Sequence, residues 1–185
     1  MLWWLVGLIV ASPLVYAAWT YNRLVGLGRR ADGAWSDIDV QLKRRWDLVP
    51  ALVEAVKGYT RHESGTLEQV VEARGRATAS ASGPLAERSS SERSLATAVG
   101  GVFALAEAYP DLKANTNFLG LQKSLTEIED NVQYARRYYN AVVRDFNTLT
   151  ETFPAVLVAG PAGFHAREFF QLDDASQRAA PQVKL

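Results

Sequence analysis

Few side chains in this 185-residue chain are of types that do chemistry, and their spacing matches no common catalytic or metal site. The sequence contains no cysteine and two histidines, His62 and His165. The lack of cysteine excludes thiol catalysis, iron–sulfur clusters and thiolate zinc sites. His62 precedes Glu63, and adjacent side chains on a helix point about 100° apart. That pair therefore suits neither shared metal coordination nor a proton relay.

Acidic side chains are the next candidates for a site. Glu127, Glu129 and Asp130 lie close together in the sequence. The apolar residues between and after them mark the buried face of a helix, which predicts that most of these carboxylates face water. A carboxylate-bridged metal site in a helical bundle also uses a Glu-x-x-His motif, which the sequence lacks. We therefore expect no metal site here.

A catalytic site would have to bring together Asp37, Asp39 and His62, and the chain would then be an uncharacterised hydrolase or transferase. No Gly-x-Ser-x-Gly turn or phosphate-binding glycine loop accompanies these residues. We expect no enzymatic activity, no cofactor and no small-molecule substrate, and keep the hydrolase or transferase as an alternative. The 20 basic residues balance the 20 acidic ones, so we expect no nucleic-acid partner.

The first element along the chain is an uncharged stretch, residues 1–22. A helix from Trp3 to Tyr21 would rise about 28 Å, close to the hydrocarbon thickness of a bilayer, about 30 Å. We therefore predict a transmembrane anchor over residues 1–22. The residues expected at the two membrane interfaces are Trp3, Trp4, Tyr16, Trp19, Tyr21 and Arg23.

Positive charge follows this stretch. Arg23, Arg29 and Arg30 precede the first acidic residue, Asp32. The positive-inside rule then predicts an N-terminus outside the membrane and a C-terminal domain in the cytoplasm. The alternative is a signal peptide cleaved near Ala17, which would release an exported soluble bundle.

Apolar residues spaced alternately by three and four predict two long helices. One stripe runs from Ala31 to Tyr59, and the other runs from Phe118 to Phe153. Pro50 lies inside the first stripe, where we expect a kink.

Two shorter helices are predicted between the long ones, at about 60–77 and 92–109. The Ser-rich residues 78–91 between them are predicted to be a surface linker. The fold class is therefore all-α: an N-terminal transmembrane helix followed by an up-and-down four-helix bundle with long antiparallel helices, over residues 23–153.

Residues 154–185 are predicted to form an apolar strap and a flexible tail. Phe164, Phe169 and Phe170 would cover the open end of the bundle, or would form a docking loop for the membrane or a partner. A second candidate partner surface lies on the first long helix, where charge is interleaved with the apolar stripe. These charged side chains would contact a partner or pair within the chain. They are Asp37, Asp39, Lys43, Arg44 and Arg45.

Several strings of residues along the chain are specific enough to identify a family. They are Tyr21-Asn22-x-Leu24-Val25, Ala34 to Arg45, Asp47-Leu48-Val49-Pro50, Lys57-Gly58-Tyr59, His62-Glu63, Ala106 to Ala114, Ala135-Arg136-Arg137-x-Tyr139-Asn140, and Phe146-Asn147 leading to Phe153-Pro154. These strings resemble the LemA family of bacterial membrane proteins, over nearly the whole chain from Tyr21 to Phe170. The resemblance implies one helix in the bacterial inner membrane, with the N-terminus outside and a cytoplasmic helical bundle. It implies neither a reaction nor a cofactor.

The resulting hypothesis is a membrane-anchored scaffold or interaction protein. The bilayer holds residues 1–22, and the helices bind a protein partner or a second copy of the chain.

Overall fold

The computed structural model describes residues 2–59 and 63–171, apart from the side chains of Leu2 and of residues 5–10. The described part of the chain is helical and contains no strand, which confirms the all-α expectation. A 3₁₀ turn at Ser80–Ser82 follows the second helix. The helices are α1 (Leu2–Lys57), α2 (Ser64–Ala79), α3 (Leu85–Ala106), α4 (Pro110–Lys113), α5 (Thr116–Glu151) and α6 (Val156–Ala159).

The described residues divide into two compact units, and α1 and α5 contribute to both. The first unit contains the residues up to Ile38 together with Tyr134–Phe169. The second unit contains the residues from Asp39 to Gln133 together with Phe170 and Gln171.

Four helical segments build the core of the second unit. The predicted apolar stripe of α1 is buried here, and it packs with the apolar faces of α2, α3 and the start of α5. The central side chains of this core are Val49, Leu52, Val56, Leu67, Val70, Leu95, Val102, Phe118 and Leu125.

In this second unit α1 and α5 run antiparallel. The Asn115 amide donates a hydrogen bond of 2.8 Å to the Tyr59 hydroxyl, and Arg45 pairs with Glu129. The residue number falls by 14 from Tyr59 to Arg45 and rises by 14 from Asn115 to Glu129, so the two segments run in opposite directions. A spacing of two heptads on each helix is typical of long-helix packing at shallow angles.

The first unit shows the same antiparallel arrangement of α1 with α5. The rings of Trp35 and Tyr139 lie 5.3 Å apart between centroids. Further along, the Phe146 ring lies in van der Waals range of Gly28, as does the Arg167 guanidinium.

α1 passes through the uncharged N-terminal stretch as a continuous helix. Trp3, Trp4 and Trp19 all have exposed side chains. Among the residues whose side chains are described, no helix is both long enough and apolar enough to cross a membrane.

α1 continues through Pro50 as one helix. A proline has no N–H, so the carbonyl of Trp46, four residues earlier, lacks its helical donor. The Arg74 side chain on α2 supplies a replacement, since its Nε donates to the Trp46 oxygen at 2.7 Å. Pro50 itself is exposed, so its ring displaces no core side chain.

The predicted surface linker at 78–91 is wrong, because α3 begins at Leu85. Serine hydroxyls there bond back to carbonyls of the preceding turn, as in Ser91 to Arg88, so the helix tolerates a Ser-rich sequence. Arg88 is buried because it pairs with Asp39 of α1. The segment folds through this charge pair rather than through an apolar stripe.

In the sequence, Asn115 and Thr116 are both candidates to cap helix α5, and in the structure Asn115 does so. The Asn115 side chain accepts hydrogen bonds from the backbone N–H groups of Asn117, at 2.9 Å, and Phe118, at 3.1 Å. The helix ends at Glu151, so the predicted stripe does not reach Phe153, whose side chain is exposed.

After α6 the chain returns along the first unit. Gly163 adopts a φ of 78°, a left-handed conformation that glycine adopts without strain. The Phe164 ring then packs at 5.7 Å from Tyr21 and at 6.2 Å from Phe146.

The Asn147 side chain on α5 binds the backbone of Arg167, three residues after Phe164. Its amide nitrogen donates to the Arg167 carbonyl at 2.9 Å, and its amide oxygen accepts from the Arg167 N–H at 2.8 Å. The Tyr139 hydroxyl donates to the Glu168 carbonyl at 3.1 Å, and burial raises the pKa of that hydroxyl. Arg167 also forms a 2.6 Å ion pair with Asp32.

The contact between Arg74 and the carbonyl opposite Pro50 can be tested with a double-mutant cycle. We expect Arg74→Met to lower the free energy of unfolding by about 1–3 kcal/mol, because it leaves the Trp46 carbonyl without a donor. In a Pro50→Ala background the restored helical N–H satisfies that carbonyl, so the same change should cost clearly less. Urea unfolding measures all four proteins.

Arg76→Met, two residues away on the exposed face, is the control and should be close to neutral. Equal costs of Arg74→Met in both backgrounds would show that Arg74 acts independently of the proline.

Candidate functional site

The most polar site inside the protein is built around Arg45 of α1. Arg45 falls on the same stripe as Leu42 and Val49, so helix geometry turns it into the core, and its side chain is 3% exposed. The guanidinium pairs with Glu92 of α3 at 3.5 Å and with Glu129 of α5. One cation thereby meets two carboxylates from two other helices.

Glu92 is the most deeply buried acid of this group, with no exposed surface. Burial raises the pKa of its carboxyl, while the charge of Arg45 and a hydrogen bond from Trp46 act in the opposite direction. That hydrogen bond runs from the indole Nε1 to the carboxylate at 2.7 Å. The carboxylate is thus held by partners on both sides.

Two further contacts complete the polar set. Glu129 accepts a hydrogen bond of 2.8 Å from the Gln133 amide. On the neighbouring turns, Arg88 pairs with Asp39 and donates to the Ala81 carbonyl at 2.9 Å. We call Arg45, Glu92, Glu129, Arg88 and Asp39 the buried charge cluster.

The geometry of the buried charge cluster suits helix packing better than catalysis. Glu92 has a raised pKa but no surface that a substrate could reach. A cavity of about 230 Å³ adjoins Arg45 between α3 and α5, and Glu129 and Asp130 lie in its wall. Within residues 2–59 and 63–171, no group of three or more acidic or histidine side chains could hold a metal ion.

The residues predicted at the membrane interfaces lie along the outside of α1. Trp3, Trp4, Trp19 and Arg23 are exposed. Tyr16 is half-buried, and its ring lies 6.0 Å from that of Trp19.

The predicted partner surface on α1 separates into two sets. Asp37, Lys43 and Arg44 are exposed, as a partner contact requires. Asp39 and Arg45 instead belong to the buried charge cluster, so assigning Arg45 to a partner surface was wrong. The reason is its place on the apolar stripe, which orients the side chain towards α3 and α5.

The three predicted aromatic contacts also differ from one another. Phe164 is half-buried between Tyr21 and Phe146, and Phe169 is 40% exposed. Phe170 is fully buried, so it cannot contact a partner.

The structure does not assemble the alternative catalytic site within the described residues. Asp37 is exposed, whereas Asp39 contacts Arg88. Two side chains that are two residues apart on a helix point about 200° apart, so these carboxylates do not converge. His62 lies outside the described residues.

Sequence reasoning missed Arg88, Glu92 and the pairing of Glu129 with Arg45. A signal for the first two was present. The buried positions of α3, Leu95, Val99 and Val102, follow steps of four and three, and continuing that pattern backwards falls on Glu92 and then Arg88.

Removing the central cation tests the role of the buried charge cluster. We expect Arg45→Met to lower the free energy of unfolding by about 3–5 kcal/mol at neutral pH, because Glu92 is left buried without its counter-ion. The loss of unfolding free energy should shrink as the pH falls towards 4.5, the ordinary pKa of the Glu92 carboxyl. Once protonated, that carboxyl carries no charge in the folded or the unfolded protein. Urea unfolding at a series of pH values gives both quantities.

The double variant Arg45→Met/Glu92→Leu should be more stable than Arg45→Met alone, and Arg44→Met on the exposed face should resemble the unmodified protein. A loss that is independent of pH and is not relieved by the second change would contradict the ion-pair interpretation.

The chain is similar to two proteins of Paramagnetospirillum magneticum (strain ATCC 700264 / AMB-1), the magnetosome proteins MamQ 1 and MamQ 2, with 31% identity over 74 residues in each case. The match covers 40% of this chain and 27% of each relative, so it spans about a quarter of their length. The model of the LemA family matches residues 34–185. Because this match covers most of the chain, the protein belongs to the LemA family.

Proposed function

We propose that this protein is a membrane-anchored helical protein that acts by binding other proteins, without catalysis. The observation that carries the proposal is the continuity of α1. The uncharged residues 2–22 and the core stripe of the helical domain belong to one helix. An anchor and an interaction domain are thus parts of a single element.

The N-terminal side chains support the anchor. Trp3, Leu14 and Val15 are at least 68% exposed, and burying such apolar surface in lipid is favourable. Tryptophan and tyrosine near both ends of the stretch suit the two headgroup regions. Arg23 and the following arginines favour an N-terminus outside and a domain in the cytoplasm of a bacterial cell.

Exposed aromatic side chains on α5 support protein binding. Tyr134 and Tyr138 lie one turn apart and are 69% and 49% exposed. Tyrosine is enriched at protein interfaces because it combines apolar area with a hydroxyl. The buried charge cluster is neutralised within the chain, so the partner surface consists of such outward-facing residues. We propose a protein partner, or a second copy of the chain, as the ligand.

Charges placed in the anchor test membrane attachment. We expect the double variant Leu14→Arg/Val15→Arg to move from the membrane fraction to the soluble fraction, because each central arginine costs about 2.5–3.5 kcal/mol in the bilayer. Both positions are exposed, so the helix and its packing should remain. Val40→Arg, at another exposed apolar position on α1, is the control and should stay with the membrane. Unchanged fractionation of the double variant would exclude anchoring through this stretch.

A single cysteine tests the topology, because the natural chain has none. Ser90→Cys lies on an exposed position of α3. We expect a membrane-impermeant thiol reagent to label it only after cell lysis, as for a cytoplasmic domain. Labelling in intact cells, or a soluble product that lacks the first 17 residues, would instead support the cleaved signal peptide.

A further inference from the structure

We propose that a second part of the chain, Phe153, Val156 and Leu157, inserts into the lipid interface beside the N-terminal anchor. We call these three residues the apolar ledge. The inference rests on the proposed membrane attachment and extends it, because it assigns a lipid contact to a segment more than 130 residues away in sequence.

The side chains of the apolar ledge are exposed although they are among the most apolar in the chain. Phe153 is 81% exposed, Leu157 66% and Val156 40%. The opposite side of the same segment is packed, since Ala155 and Ala159 are buried. Residues 152–163 carry no charged side chain. The segment therefore has one face packed on the protein and one apolar face that the rest of the chain leaves exposed.

The position of the ledge in the first unit points to the membrane as that cover. α5 runs antiparallel to α1, with Phe146 against Gly28. Its end at Glu151 is about five residues further on, or about 7.5 Å, and so lies near the level of Arg23. The ledge follows directly after this end of α5. The contact of 5.7 Å between Phe164 and Tyr21, just after the segment, agrees with this placement.

The surroundings of the ledge match a lipid interface in chemistry. Trp19 and Tyr21 are exposed at the same level and are side chains that favour the headgroup region. Arg23 is exposed one turn further along and can meet headgroup phosphates. An uncharged apolar face, an aromatic pair and a cation follow one another in the order expected from the acyl chains outwards.

A second copy of the chain explains the exposed apolar face of the ledge less well than lipid does. Stable protein interfaces bury about 800 Å² on each side, far more than three side chains provide. Insertion into the headgroup and acyl boundary needs only a few apolar side chains about 5–10 Å deep. The anchor also holds the ledge close to the bilayer, so its insertion is an intramolecular step that loses no further translational freedom.

Depth-dependent fluorescence tests this proposal on the full-length chain. The variant Leu157→Cys is labelled with an environment-sensitive fluorophore and reconstituted into vesicles of phosphatidylcholine with a minority of phosphatidylglycerol. We expect nitroxide groups on the upper acyl chains to quench the label several-fold more strongly than aqueous iodide does. Leu119→Cys, an exposed leucine on α5 in the second unit, is the control and should show the opposite preference.

Flotation of the same vesicles separates this inference from the proposed function. A chain that does not float with the vesicles would contradict the anchor, and the ledge proposal with it. A chain that floats while the Leu157 label is quenched by iodide would leave the anchor intact and overturn the ledge. A label shielded from both quenchers would mean that protein covers the ledge, which also overturns the proposal.

Discussion

The packing of the second unit depends on neutralising one charge, the guanidinium of Arg45. An unpaired cation in the core would cost several kcal/mol, so α1 can bury its stripe only if other helices bring carboxylates to that point. Glu92 from α3 and Glu129 from α5 do so, and the Trp46 indole holds Glu92 in place. Apolar contacts alone would allow the helices to slide by a heptad, whereas this cluster favours a single register.

The sequence predicted those helices whose buried faces are apolar. The stripe of α5 from Phe118 to Phe146 is buried, and Asn115 caps it at the expected place. The start of α3 could not be predicted in the same way. Its buried face carries Arg88 and Glu92, and these are stable inside only because Asp39 and Arg45 lie opposite on another helix. The spacing of Leu95, Val99 and Val102 extends back to these two positions, but it does not show which side chains of other helices pair with them.

Pro50 and the candidate site illustrate the same limit. The cost of a proline in a helix depends on whether the freed carbonyl finds another donor, and Arg74 provides one from α2. For the site, the position of Arg45 on the apolar stripe was visible in the sequence, but its partners were not. Asp37, Lys43 and Arg44 are exposed on the outside of α1, a direction that helical periodicity alone decides.

The way Asn147 holds the chain after α6 has a consequence for how this region can evolve. Its amide binds the N–H and carbonyl of Arg167, groups that every residue except proline presents. The path of the backbone is therefore independent of the neighbouring side chains His165 and Ala166, which are exposed. Those positions can change charge, size or polarity while the segment keeps its course. A family member could thus acquire a new surface specificity here without altering its core.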